Sequence, residues 1–187
     1  MSCLPDSVHI DVRNMELEGT AGYRERNLEI EYGQNLLKRM AKKLLDISDL
    51  QIQRKPNEKP TGKLPNGREI FLGISHTKLL IAGVLSDEYP VAVDIEHSER
   101  IVPDALLKRI KNKAESNDLY SHLGLIRIWT IKESALKWNG TGLRIRMNRI
   151  RIMPVSENLF NVVFDDGRKV KICSFKKSEH WISVAYG

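Results

Sequence analysis

The chain has 187 residues, 41% hydrophobic and 29% charged; that balance excludes a disordered chain and leaves room for one large domain or two small ones with a proper core. No run of about 18 apolar residues occurs, which excludes a helical transmembrane span, and residues 1–6 show no basic segment followed by an apolar one, so no secretory leader is expected. The formal charge of +6 favours an anionic partner, whether a phosphate-rich small molecule, a nucleic acid or an acidic protein.

Residues 8–12 alternate apolar and polar and predict a short strand. After a loop over 14–22, residues 24–46 predict a long helix with Leu36, Leu37, Met40, Leu44 and Leu45 as its apolar stripe and Lys38, Arg39, Lys42 and Lys43 facing water. Residues 51–54 read as a strand and 55–67 as a turn-rich basic loop. Two apolar strands, 69–74 and 79–85, flank Ser75-His76-Thr77. In the next strand, 91–96, Asp94 and Glu96 share one side while Val93 and Ile95 share the other.

Residues 101–118 predict one helix, with Pro103 in its first turn, Leu106, Leu107 and Ile110 on its apolar side, and Lys108, Arg109, Lys111 and Lys113 on its polar side. The stretch 128–138 predicts another: Ile128, Ile131, Ala135 and Trp138 recur at helical spacing until Asn139-Gly140 ends the run. Glu133 and Lys137 stand one turn apart on its polar face, beside Trp129. Lys132 falls inside the apolar arc, where a lysine is costly unless an anion meets its ammonium. Four strands follow, at 149–152, 160–164, 169–175 and 181–185, with a hairpin turn at Asp165-Asp166-Gly167. Cys3 and Cys173 are the only cysteines. So far apart, they offer neither metal-ligand spacing nor a disulfide framework, and fit a reducing cytoplasm.

The two halves share an order of elements: a long helix, a short strand, two strands near a turn, and a terminal apolar strand. This suggests a duplicated α+β unit with a cleft between the copies; coincidence of common elements is the competing explanation. Two carboxylates at i and i+2 on a strand project the same way, and a third from a helix could complete an oxygen cage. Asp94, Glu96 and Glu133 would suit a hard cation such as Mg²⁺; an Asp-x-Glu on a solvated strand face is the plainer alternative. His76 could donate to a phosphate or be a satisfied core histidine, the commoner case. Ser75 lacks the surroundings of a nucleophile. Lys59 is solvated unless phosphates lie nearby, and Lys137 could neutralise one.

Together Ile74-Ser75-His76-Thr77, Val91-Ala92-Val93-Asp94-Ile95-Glu96 and Trp129-Thr130-Ile131-Lys132-Glu133-Ser134-Ala135-Leu136-Lys137 resemble the signature motifs of 4′-phosphopantetheinyl transferases of the Sfp type. The family pattern is Ser-His-Ser, Gly-x-Asp-x-Glu and Trp-x-x-Lys-Glu-Ser/Ala-x-x-Lys. Order and spacing agree, and the last motif matches at every signature position. Gly140-Thr141-Gly142-Leu143, Lys59-Pro60, and Arg26 with Glu29 and Gly33 extend the similarity, which covers residues 24–187. Ala92, Thr77, Glu58 and Gln34 depart from the pattern.

The resemblance implies two similar α/β subdomains related by a pseudo-twofold, 1–97 and 98–187, with the active-site cleft between them. It implies Mg²⁺ held by Asp94, Glu96 and Glu133, and coenzyme A as co-substrate, its phosphates bound by Arg26, Lys59, Ser75, His76, Lys132 and Lys137. The serine hydroxyl of an apo acyl, peptidyl or polyketide carrier protein would attack the β-phosphate and release 3′,5′-ADP. Glu133 is the expected general base, and Lys137 the residue that offsets charge on the phosphoryl oxygens. Leu106 or Leu107 with Lys108 and Lys111 could dock the acidic carrier. A monomer is expected. The smaller trimeric holo-acyl-carrier-protein synthase class and a basic RNA-binding module are the alternatives; aromatic residues at 6% of the chain argue against the latter.

Overall fold

The computed structural model describes residues 3–15, 23–53, 59–103, 105–140 and 145–187, with side chains of the first helix from residue 27 onward. In chain order the elements are β1 (Val8–Asn14), α1 (Tyr23–Leu45), β2 (Gln51–Gln53), β3 (Thr61–Lys63), β4 (Glu69–His76), β5 (Leu80–Ser86), β6 (Val91–His97), α2 (Ala105–Ile110), α3 (Asn117–Leu123), α4 (Leu125–Asn139), a 3₁₀ turn (Met147–Arg149), β7 (Arg151–Pro154), β8 (Leu159–Val163), β9 (Lys169–Lys177) and β10 (His180–Tyr186). They build a mixed α+β fold with two five-stranded antiparallel sheets. The first runs β1-β5-β4-β3-β2 and the second β6-β10-β9-β8-β7, so both have the same strand order.

Alternation along each strand sorts side chains into layers. Leu36, Leu37, Met40 and Ala41 of α1 pack on Ile70, Leu72, Ile81 and Leu85, one face of the first sheet. Leu80, Ala82 and Val84 on its other face meet Val91, Val93, Ile95, Ile182 and Val184 of the second. Beyond that sheet, Ala92, Phe160, Val162, Ile172 and Ala185 pack on Ile128, Ile131, Ala135 and Leu136 of α4. The order from outside to outside is α1, sheet, sheet, α4.

Four sequence expectations change. Strand β6, placed with the first half by a boundary at residue 97, pairs with β10 of the second sheet, so the sheets divide between β5 and β6. Residues 61–63, expected as loop, form β3; only Gly62 is buried there, and a Cβ on it would stand 2.8 Å from Leu50 Cδ1, so the strand carries no apolar signal. The helix expected over 101–118 ends at Ile110 and a second begins at Asn117. Between them the backbone turns to bring Glu115 inside, its Oε2 accepting from the backbone N–H of Asn112 at 2.9 Å. Finally, Cys3 and Cys173 are paired as a disulfide, with Cα atoms 5.5 Å apart. The Tyr186 hydroxyl donates to the Cys3 carbonyl at 2.7 Å beside it. Among the described residues no helix is long and apolar enough to cross a membrane.

The sheets come closest where β4 runs under β6. A Cβ on Gly73 would lie 2.8 Å from Val84 Cγ1, 3.1 Å from the Ala92 Cα and 3.3 Å from the Val93 nitrogen. Backbone cannot step aside as a flexible side chain can, so Gly73→Ala is expected to cost about 1–3 kcal/mol, read as a lowered urea midpoint with unchanged far-UV circular dichroism.

Candidate active site

Strand β6 carries Asp94 toward α4 and α4 carries Glu133 and Lys137 toward β6. Asp94 follows three buried residues of β6 and is itself 4% exposed. Helix α4 starts after Gly124, at φ 76°, and stops at Gly140, left-handed at φ 75°, which supplies a C-terminal cap. A full turn between residues 133 and 137 puts both side chains on the side facing Asp94.

The contacts are close. Lys137 Nζ donates to Asp94 Oδ1 at 2.6 Å, to Ser75 Oγ at 3.1 Å and to the Val93 carbonyl at 3.4 Å. Ser75, at the end of β4, donates to the same Asp94 oxygen at 3.1 Å. The other Asp94 oxygen, Oδ2, and Glu133 Oε2 are buried and find no hydrogen-bond partner among the described residues. Burial pushes Asp94 above the usual carboxylate range, against the pull of Lys137. Burial also raises Glu133, helped by the charge of Asp94, and raises Glu96, with Arg100 opposing. Glu96 forms an ion pair with Arg100, whose guanidinium lies 5.6 Å from the Trp129 ring centroid.

These residues line a pocket of about 670 Å³ that also takes in Lys59, His76, Trp129 and Glu29. His76 is no core histidine: it is exposed on the pocket wall, 3.6 Å from Glu29 Oε2. Lys59 reaches across to α4, donating to the Trp138 carbonyl, and burial lowers its ammonium to about 8. The side chain of Arg26 lies outside the described residues, as do Glu58, Thr141, Gly142 and Leu143.

Lys132 is not in the pocket. Its side chain is fully buried on the far side of α4, where Nζ donates to Glu115 Oε2 at 2.8 Å and to the carbonyls of Ile110 at 2.6 Å and Ile150 at 3.1 Å. The anion that the apolar arc demands is therefore Glu115 of this chain rather than a phosphate. Glu115 is satisfied in turn by Tyr120 O–H at 2.5 Å and by the Ile152 N–H at 2.8 Å. Sequence reasoning missed Glu115 and Arg100. Lys132 itself was a signal that a buried carboxylate must exist; nothing in the local pattern singles out Arg100.

Among the described residues no three of His, Cys, Asp and Glu form a ready cluster of metal ligands. Two buried carboxylate oxygens without donors nevertheless suit a hard cation, which satisfies carboxylate oxygens and is served by oxygen ligands alone. Acidic groups held above their usual range share this pocket with two lysines, Lys59 and Lys137. Residues 90–185 match the 4′-phosphopantetheinyl transferase superfamily, and the chain belongs to that superfamily. It is thus a transferase of the phosphopantetheinyl kind, and the match spans β6 and α4 with Asp94, Glu96, Glu133 and Lys137, while Lys59, Ser75 and His76 precede it. No curated protein matches the chain.

Removing one partner of a buried ion pair leaves a charge without compensation. Lys132→Met is expected to lose about 3–5 kcal/mol of stability, measured by urea denaturation.

Proposed function

We propose that the protein moves the 4′-phosphopantetheine arm of coenzyme A to the serine of an apo acyl, peptidyl or polyketide carrier protein, as a single-chain enzyme of the Sfp type. The observation that supports this most is the pair of buried, donor-less oxygens on Asp94 and Glu133 beside Lys137. The same strand order in both sheets supports a pseudo-twofold within one chain, with the pocket as the cleft between the halves; a trimer in solution would contradict it. In this reading the first half ends with β5, and β6 opens the second.

Asp94, Glu133 and Glu96 would hold Mg²⁺, which when bound neutralises the pyrophosphate of coenzyme A and eases departure of 3′,5′-ADP. Glu133, its carboxylate raised by burial and by Asp94, takes the proton of the carrier serine. The serine oxygen bonds to the β-phosphorus, and the bond from that phosphorus to the oxygen of 3′,5′-ADP breaks. Lys137 holds the charge that gathers on the phosphoryl oxygens. Lys59 and His76, both facing the pocket, hold the phosphates of coenzyme A. The acidic carrier docks on α2, where Leu107, Lys108 and Arg109 are exposed; Leu106 instead packs against the core. Ile101, 96% exposed, extends that surface.

Incubation with coenzyme A, Mg²⁺ and a panel of apo carriers should raise the mass of one of them by one phosphopantetheine arm; unchanged masses throughout would overturn the assignment. Glu133→Gln should abolish the transfer and leave the circular dichroism spectrum intact. Lys59 loses its charge as pH rises through about 8, whereas a bound phosphate would keep it protonated. Coenzyme A affinity should therefore fall above that pH, by up to about tenfold per unit, and the fall should vanish in Lys59→Met, as read by calorimetry across a pH series.

A further inference from the structure

We propose that Ser75 and Lys137 are positioning residues for Asp94, and that Lys137 holds this carboxylate in place of the divalent cation until a phosphate draws the ammonium away. The inference rests on the reading of the pocket just given and assigns Ser75 a role other than phosphate binding.

Three elements meet in a closed ring of contacts. Lys137 of α4 reaches Asp94 of β6 at 2.6 Å and Ser75 of β4 at 3.1 Å, and Ser75 reaches Asp94 at 3.1 Å. Ser75 is 7% exposed. Its one hydroxyl hydrogen is given to Asp94, and a lone pair takes the Lys137 ammonium, so the side chain is engaged within the ring. Both ring donors act on Oδ1, while Oδ2, like Glu133 Oε2 in the same pocket, has no hydrogen-bond partner among the described residues. On the other flank Arg100 holds Glu96. Internal cations thus engage Asp94 and Glu96.

An ammonium and a divalent cation on one carboxylate repel each other, strongly so in a buried setting. A phosphate offers Lys137 an alternative partner through its three donors. Once the ammonium moves to phosphate, Asp94 is freed for the cation. Cation and diphosphate therefore favour each other's binding through Lys137, and the coupling is reciprocal. A divalent cation bridging both would give some mutual favour without Lys137, so the decisive sign is what its removal does to the cation alone.

Mn²⁺ titrations followed by electron paramagnetic resonance, without carrier protein and so without turnover, test this. Without coenzyme A, Lys137→Met should bind Mn²⁺ about tenfold more tightly than the native protein, and coenzyme A should raise its Mn²⁺ affinity by a smaller factor than in the native protein. Equal or weaker binding by the variant overturns the clamp alone. Failure of both proteins to bind Mn²⁺ even with coenzyme A overturns it together with the metal assignment. Ser75→Ala should leave metal-free coenzyme A affinity within about twofold, since the ring and not the phosphate uses the hydroxyl; a loss of about tenfold, the weight of one hydrogen bond to a charged group, overturns the role given to Ser75. Thermal melts confirm folding, and Lys137→Gln replaces the methionine variant should that one be unfolded.

Discussion

Strand β6 has to be covered on both faces, and the site depends on that. Val91, Val93 and Ile95 pack with Leu80, Ala82 and Val84 of the first sheet, while Ala92 packs with Ile128, Ile131 and Ala135 of α4. An edge strand seldom carries so apolar a sequence unless other elements enclose it. Enclosure on both sides brings the end of β4 and the middle of α4 to the same stretch of β6. Asp94 sits at that stretch and, as a buried carboxylate, must find donors there. Gly73 sets how near the strands can come.

Helix α4 then separates two kinds of charge. Lys132 and Glu133 are consecutive, so about 100° of rotation sends one into the core and the other to the pocket. Lys132 is met by a carboxylate and by carbonyls from three different segments, which fixes the turn after α2 and the 3₁₀ turn against the helix. Glu133 is left with one oxygen that has no hydrogen-bond partner among the described residues. Full satisfaction on one side gives the rigidity on which incomplete satisfaction on the other can be maintained.

Much of this was legible in the residues. The two-residue alternation that puts Asp94 and Glu96 opposite Val93 and Ile95 is local, and so is the helical spacing that pairs Glu133 with Lys137; both survive folding. Lys132 announced a buried anion, but its identity depended on a turn 17 residues earlier, and tertiary partners leave no periodic trace. The helix over 101–118 was overextended for the same reason: Asn112 and Glu115 suit a wet helix face as well as a turn, until a buried ammonium competes for the carboxylate. β3 was invisible because its buried position is a glycine. The Cys3–Cys173 pair could not be read because it needs the first residues laid across the second sheet, a matter of packing rather than spacing. Matching three motifs to a family made up part of the deficit, yet it also drew Lys132 into a pocket from which its own apolar surroundings had excluded it.

The hydrogen bond from Tyr186 to Cys3 and the disulfide from Cys3 to Cys173 bring the two ends of the described chain into contact. The polypeptide therefore traces an almost closed ring. A ring can be opened at another point: joining the ends of the described chain through a short linker and cutting at Glu88, the exposed residue of the connector between Ser86 and Val91, would yield a circular permutant in which the second sheet is synthesised first, with every strand pairing conserved.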